Sequence, residues 1–277
     1  MKSIITIEEL QNILTEENLF ILDARTGKDA YSNYLEKHIK GARFIDLDKD
    51  LAEIGEDASF GGRHPLPSPE KFSETLSGLG ISEGSKIVIY DTANGANAAA
   101  RAWWMLKAAG FEVSVLSGGL QAAEKANLEM NKGNETVKKA ENILLKNWKL
   151  PTINIDEIEE GLQNKTATVI DVRDAYRYKG ESEPIDLIAG HIPGADNLPF
   201  SENLDEEGKF LSPEILKEKY LNFLKGKPEN LAIHCGSGVT ACHTILAMDY
   251  AGLEIPKLYV GSWSEWSRRD KPVATEN

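Results

Sequence analysis

Short apolar runs bounded by polar or turn residues recur along the chain, with amphipathic, Ala-rich stretches between them. Leu19–Asp23, Lys86–Tyr90 and 113–116 each hold four or five residues rich in Ile, Val and Leu. None alternates as a half-exposed strand would, so each reads as a buried strand. Ala98–Ala109 reads as a helix. Beyond residue 150 the pattern returns, with strands expected at 168–171, Asn230–His234 and 257–260 and a helix at 239–251. Strands interleaved with helices predict an α/β fold whose sheets are mainly parallel and covered on both faces.

The return is a repeat of sequence as well as of pattern. Ile21-Leu22-Asp23-Ala24-Arg25 reappears as Val169-Ile170-Asp171-Val172-Arg173, and His38-Ile39-Lys40-Gly41-Ala42 as His191-Ile192-Pro193-Gly194-Ala195. Ile87-Val88-Ile89-Tyr90-Asp91 corresponds to Leu231-Ala232-Ile233-His234-Cys235, and Gly118-Gly119-Leu120 to Val260-Gly261-Ser262-Trp263. Four matches in one order, offset by about 140 to 155 residues, indicate a duplicated domain rather than a short-period solenoid. The expected organisation is a first domain over 1–126, a linker over 127–150 and a second domain over 151–277. Residues 127–139 are polar and lack periodicity, and Pro151 opens the second half.

Length and composition suit two soluble globular domains: 277 residues, 41% hydrophobic and 27% charged. No apolar run is long enough for a membrane span. Met1-Lys2-Ser3 runs directly into Ile4-Ile5-Thr6 with no signal-peptide core. Cys235 and Cys242 are too few for a disulfide framework, so a reducing, cytoplasmic setting is expected. The net charge of −13 argues against nucleic acid and anionic membranes as partners. Any anion site must therefore be built locally, which draws attention to arginines near the cysteines.

The chemistry concentrates in Leu231-Ala232-Ile233-His234-Cys235-Gly236-Ser237-Gly238-Val239-Thr240-Ala241. A strand ends in a cysteine that opens a Gly-rich turn feeding a helix. Ligands of open α/β sheets bind at that end of the strands. Backbone N–H groups of such a turn and helix start converge on an anion, and the thiolate is the reactive form of cysteine. A packing cysteine has no need of two following glycines, so Cys235 is read as a nucleophile.

These residues, with Gly261-Ser262-Trp263-Ser264-Glu265-Trp266 and Gly190-His191-Ile192-Pro193-Gly194-Ala195, resemble the rhodanese superfamily, specifically its tandem-domain sulfurtransferases. The resemblance spans nearly the whole chain. It implies two tandem rhodanese-like domains, with the active site in the second, and a Cys235 persulfide as the intermediate of sulfur transfer. No cofactor or metal is implied. The donor would be a small anionic sulfur compound, and the acceptor a thiol, such as a thioredoxin-like protein, or cyanide. Gly236, Ser237, Gly238, Val239, Thr240 and Ala241 would cradle the outer sulfur. Thr240 could equally cap the helix. Arg177 falls on the family arginine that grips the donor. Asp48 and His64 match positions where mercaptopyruvate-type members place polar groups toward the site. Asp171, Arg173 and His191 are expected to be structural, and Trp103 and Trp104 to be packing residues.

Asp91 stands where Cys235 does in the repeat, so the first domain should be catalytically degenerate. Ala241 occupies the position where Cys-based phosphatases of this fold need arginine, which argues against phosphatase chemistry. The gap of seven between Cys235 and Cys242 does not suit a structural zinc site. The uncharged loop resembles 3-mercaptopyruvate sulfurtransferases, with thiosulfate as the alternative donor. A non-enzymatic persulfide carrier or interaction module is a further alternative. In Glu183-Pro184-Ile185, Ile185 replaces a second substrate-binding arginine of the mercaptopyruvate pattern.

Overall fold

The computed structural model describes residues 1–141 and 143–276. They form two compact units that are not contiguous in sequence. The first comprises residues 1–53, 67–150 and 206–210; the second comprises 54–66, 151–205 and 211–277.

Twelve strands occur among the described residues. In chain order they are β1 (Ile4–Ile5), β2 (Leu19–Asp23), β3 (His38–Ile39), β4 (Ala42–Phe44), β5 (Lys86–Tyr90), β6 (Glu112–Leu116), β7 (Met130–Asn131), β8 (Thr152–Ile153), β9 (Ala167–Asp171), β10 (Asp196–Asn197), β11 (Asn230–His234) and β12 (Lys257–Tyr259). The first unit holds a parallel sheet in the order β1-β6-β5-β2-β4, the second one in the order β8-β12-β11-β9-β10. Replacing each strand by its repeat partner converts one order into the other. The buried runs seen in the sequence are the central strands β2, β5, β9 and β11, which need apolar residues on both faces.

The duplication extends to helix caps and buried polar pairs. Ser68-Pro69-Glu70 and Ser212-Pro213-Glu214 each start a helix, with the serine accepting from the N3 amide and proline in the first turn. Thr6 and Asn154 each form a capping box with a glutamate. Arg25 forks onto Asp23 as Arg173 does onto Asp171. His38 bonds the Tyr34 carbonyl through Nδ1 at 2.8 Å and stacks on that ring; His191 does the same with Tyr178, also at 2.8 Å.

Apolar clusters close both units, around Ile21, Val88 and Tyr90 in the first and Val169, Ala232 and Trp263 in the second. Trp103 and Trp104 are fully buried on the helix Ala98–Ala109. No helix among the described residues is long and apolar enough to cross a membrane.

The segment 127–150, expected to be a linker, lies within the first unit. Met130–Asn131 pairs antiparallel with His38–Ile39. Glu135 accepts from the Gly41 amide and from Asn131, Ala140 exchanges bonds with Ser77, and the Trp148 ring lies 5.5 Å from that of Phe72. Its hold is mostly backbone and polar, so it has no apolar period to betray it. The helix after Cys235 runs over Ala241–Tyr250 and not from 239, because Gly238 sits at φ +74 and the turn continues through Thr240.

Candidate active site

Cys235 follows the last residue of the central strand β11 and is 3% exposed. The turn behind it is clamped from below. The Cys235 carbonyl accepts from the Trp263 amide at 3.0 Å, the Gly236 carbonyl accepts from the Ser264 amide at 2.8 Å, and the Cys235 amide donates to Ser262 Oγ at 3.2 Å. In the first unit the Asp91 carbonyl accepts from the Leu120 amide, also at 3.0 Å. The two positions are therefore equivalent in space within their own units, as they are in the repeat.

The two turns treat an anion differently. In the first, the amides of Ala93 and Gly95 both donate to Asp91 Oδ1 at 2.9 Å, so the carboxylate occupies its own cradle. Burial pushes the Asp91 carboxyl up, against the pull of the Gly95 and Ala93 amides. In the second, the amides of Gly236, Ser237, Val239 and Thr240 meet no acceptor among the described residues, which leaves donors for an anion bound at the turn. Thr240 precedes the helix but its side chain makes no capping bond. Gly238 must be glycine: φ is +74, and a methyl carbon there would lie 2.5 Å from the Val260 carbonyl oxygen. Cys242 is the second residue of that helix, and its thiol donates to the Gly238 carbonyl at 3.3 Å.

Around this turn stands a charged cluster. Arg177 donates from Nε and Nη2 to Glu183 at 3.0 and 2.7 Å. Arg63 donates from Nε to Asp186 Oδ1 at 3.0 Å, and Arg268 reaches the same oxygen at 3.0 Å. Arg173 joins Asp171 to Glu183, and its guanidinium lies 4.7 Å above the Trp263 ring. Four guanidiniums thus face the carboxylates of Asp171, Glu183 and Asp186, leaving one positive charge in excess in an otherwise acidic chain. Burial would raise the Glu183 carboxyl, but Arg177 and the amides of Asp186 and Ile185 hold it below the ordinary range. Burial likewise opposes ionisation of Asp171, and Arg173 and His234 outweigh it, so it too ionises at a lower pH than usual. The His234 imidazole, fully buried, is pushed down by desolvation despite Asp171 at 3.8 Å.

His64 Nδ1 lies 2.8 Å from Ser237 Oγ. Cys235, the 236–241 turn, Arg177 and His64 therefore all belong to the second unit. Asp48 does not. It lies in the first unit, exposed, with its amide donating to Asp46 Oδ1 at 2.9 Å. Ile185 is 55% exposed, and its amide is tied to Glu183. Arg63, Asp186 and Arg268 were not singled out by the sequence. They stand at 63, 186 and 268, in no common motif, and the one local hint was the polar pair Arg63-His64 behind a Gly-Gly turn.

The rhodanese-like domain model matches residues 6–126 and 154–269. A probable 3-mercaptopyruvate sulfurtransferase of Pseudomonas aeruginosa is 39% identical over 281 residues, covering 98% of each chain. The human 3-mercaptopyruvate sulfurtransferase is 36% identical over 92% of this chain and 86% of that one. The solved 3-mercaptopyruvate sulfurtransferase from Leishmania major superposes with a TM-score of 0.83 at 31% identity, covering 96% of this chain and 74% of that one. The chain belongs to the rhodanese-like family, and with two copies of the domain it is one of its sulfurtransferases.

Proposed function

We propose that this protein takes sulfur from 3-mercaptopyruvate onto Cys235 and passes it to a thiol acceptor. The observation that carries this reading is the setting of Cys235: it opens a turn with open amide donors, beside arginines that carry net positive charge. The relatives named above support the choice of donor. The Cys235 thiolate attacks the donor sulfur and an S–S bond forms. The C–S bond breaks, and its electron pair passes to carbon as the enolate of pyruvate. That enolate takes up the proton left on the outer sulfur, giving pyruvate and Cys235-S-S⁻. The amides of the 236–241 turn stabilise the outer sulfur anion. An acceptor thiolate then attacks that sulfur and releases Cys235 as thiolate.

Arg177 holds the donor carboxylate, while the Ser237 hydroxyl, positioned by His64, donates to the carbonyl oxygen where enolate charge develops. A role for Asp48 rests on the family resemblance alone. A cytoplasmic, reducing setting suits a persulfide cycle with thiol acceptors. Steady-state kinetics with 3-mercaptopyruvate and with thiosulfate, using one common thiol acceptor, test the reading. The mercaptopyruvate value of kcat/KM should be the larger by at least about tenfold; a clear preference for thiosulfate would overturn it.

A further inference from the structure

We infer that the exposed apolar rim of Ile185, Leu187 and Ile188 is a docking surface for a protein acceptor, one that carries its thiol on an uncharged, apolar patch. The inference rests on the reading that Cys235 passes its sulfur to a thiol, and not on which donor loads it. Ile185, Leu187 and Ile188 are 55%, 70% and 46% exposed, while Asp186 between them is buried. Single exposed aliphatic residues are ordinary on a protein surface, but three in four consecutive positions mark a contact site. From Pro184 to Gly190 the only charged residue is Asp186, whose carboxylate is turned onto Arg63 and Arg268. The outward side of this loop is therefore uncharged, on a chain of net charge −13.

The loop is a fixed frame beside the nucleophile. Arg173 closes it, donating from Nη1 to Glu183 at 3.1 Å and from Nη2 to the Gly190 carbonyl at 2.7 Å. Within it, the Ile185 and Asp186 amides donate to Glu183 at 3.0 and 3.1 Å. The Trp263 indole donates to the Ile188 carbonyl at 2.9 Å, and the amide of the same residue donates to the Cys235 carbonyl. One residue thus joins the rim to the nucleophile, all within the second unit. A backbone held in this way loses little freedom when a partner binds.

Cys235 is nearly buried, so the acceptor sulfur has to come in to it, and apolar residues flanking that sulfur meet the rim as it does so. The acceptor thiol passes its proton to the outer sulfur, and its thiolate bonds that sulfur. The bond to Cys235 breaks, Cys235 leaves as thiolate and the acceptor leaves as a persulfide. The excess positive charge of the arginine cluster offsets the persulfide anion, so the approaching thiolate meets no net repulsion. Three aliphatic side chains cover on the order of a few hundred Å², against roughly 800 Å² per partner in a stable complex. The contact is therefore transient, as a partner that leaves after each turnover requires.

The test times sulfur discharge apart from loading. Protein loaded with 3-mercaptopyruvate or with thiosulfate, then freed of donor, is mixed with reduced thioredoxin as the protein probe or with dithiothreitol as the small one. Loss of the added sulfur mass from the Cys235 peptide is followed. Wild type should discharge to thioredoxin at least about tenfold faster than to dithiothreitol at equal thiol concentration. Leu187→Glu should slow discharge to thioredoxin by about tenfold or more, because a charge replaces an apolar contact. Loading, and discharge to dithiothreitol, should stay within about twofold, and Leu187→Met should keep the wild-type rate with both acceptors. Ile188→Ser should repeat the selective loss and serves if the glutamate variant does not fold. A wild type no faster with thioredoxin, no loss in either variant, or equal losses with both acceptors would overturn the inference. So would a wild-type dimer that Leu187→Glu dissociates in sedimentation, since a second copy would then cover the rim. A wild type that never loads Cys235 with either donor would instead refute the sulfur-transfer reading, and this inference with it.

Discussion

The imidazole of His64 and the hydroxyl of Ser237 meet at 2.8 Å, two residues beyond Cys235, across 173 positions of sequence. The bond fixes a hydroxyl that would otherwise rotate freely. If Ser237 stabilises the enolate oxygen and His64 sets its orientation, they act as one unit. Ser237→Ala and His64→Ala should each lower kcat for pyruvate release by about 10- to 100-fold, with smaller changes in KM. The double variant should be no worse than the poorer single one, since coupled residues do not add. Fully additive losses would separate them.

Arg177 and Glu183 are bound through two hydrogen bonds at 2.7 and 3.0 Å. Arg177→Ala should reduce kcat/KM for 3-mercaptopyruvate by the equivalent of about 1.5–3 kcal/mol. Glu183→Gln should give a smaller loss, because the guanidinium remains but is held less firmly. Unchanged kinetics in the Arg177 variant would remove it from the donor site.

Asp171 gives the fold a pH dependence of definite sign. Its carboxyl ionises at a lower pH in the folded protein than in the unfolded chain. The unfolded chain therefore binds the proton first, and the contribution is fully present above the usual carboxylate range and lost as pH falls through the folded value. Asp171→Asn should cost about 2–4 kcal/mol at neutral pH, because buried Arg173 loses the carboxylate it forks onto and keeps only Glu183 as a charged partner. The penalty should shrink in acid, where the wild-type carboxyl protonates. Urea unfolding at neutral and acid pH measures it; a penalty that grows in acid would reverse the sign of this account.

The first-unit turn supplies a control within the same chain. Asp91→Cys places a thiol at the position equivalent to Cys235, but Thr92-Ala93-Asn94-Gly95-Ala96-Asn97 brings no cation and no Gly-Ser-Gly turn. The variant should gain no persulfide at 91 when treated with donor, by peptide mass. A persulfide there at the rate seen for Cys235 would show that a thiol at a strand end suffices.

Much of this was legible in the sequence. Asp23 and Asp171, or Asp91 and Cys235, could be matched by eye because each sits at the end of a short apolar run followed by a turn, and such runs are local. Arg63, Asp186 and Arg268 could not, because what unites them is a shared carboxylate and not a spacing. Residues 127–150 were hidden for a related reason. Asn131, Glu135 and Ala140 are held through polar and backbone bonds, which leave no hydrophobic period. Thr240 was open between cap and site, and the structure shows no capping bond from its side chain.

The central claim is that Cys235 carries the sulfur. Wild-type protein treated with 3-mercaptopyruvate in the absence of acceptor should gain the mass of one sulfur on the peptide containing Cys235, lose it on addition of a dithiol, and release one equivalent of pyruvate. Cys235→Ser should fold normally, gain nothing and release no pyruvate, since a hydroxyl is a poor nucleophile toward sulfur at neutral pH. The added sulfur mapping to Cys242, or pyruvate release surviving in Cys235→Ser, would contradict the account.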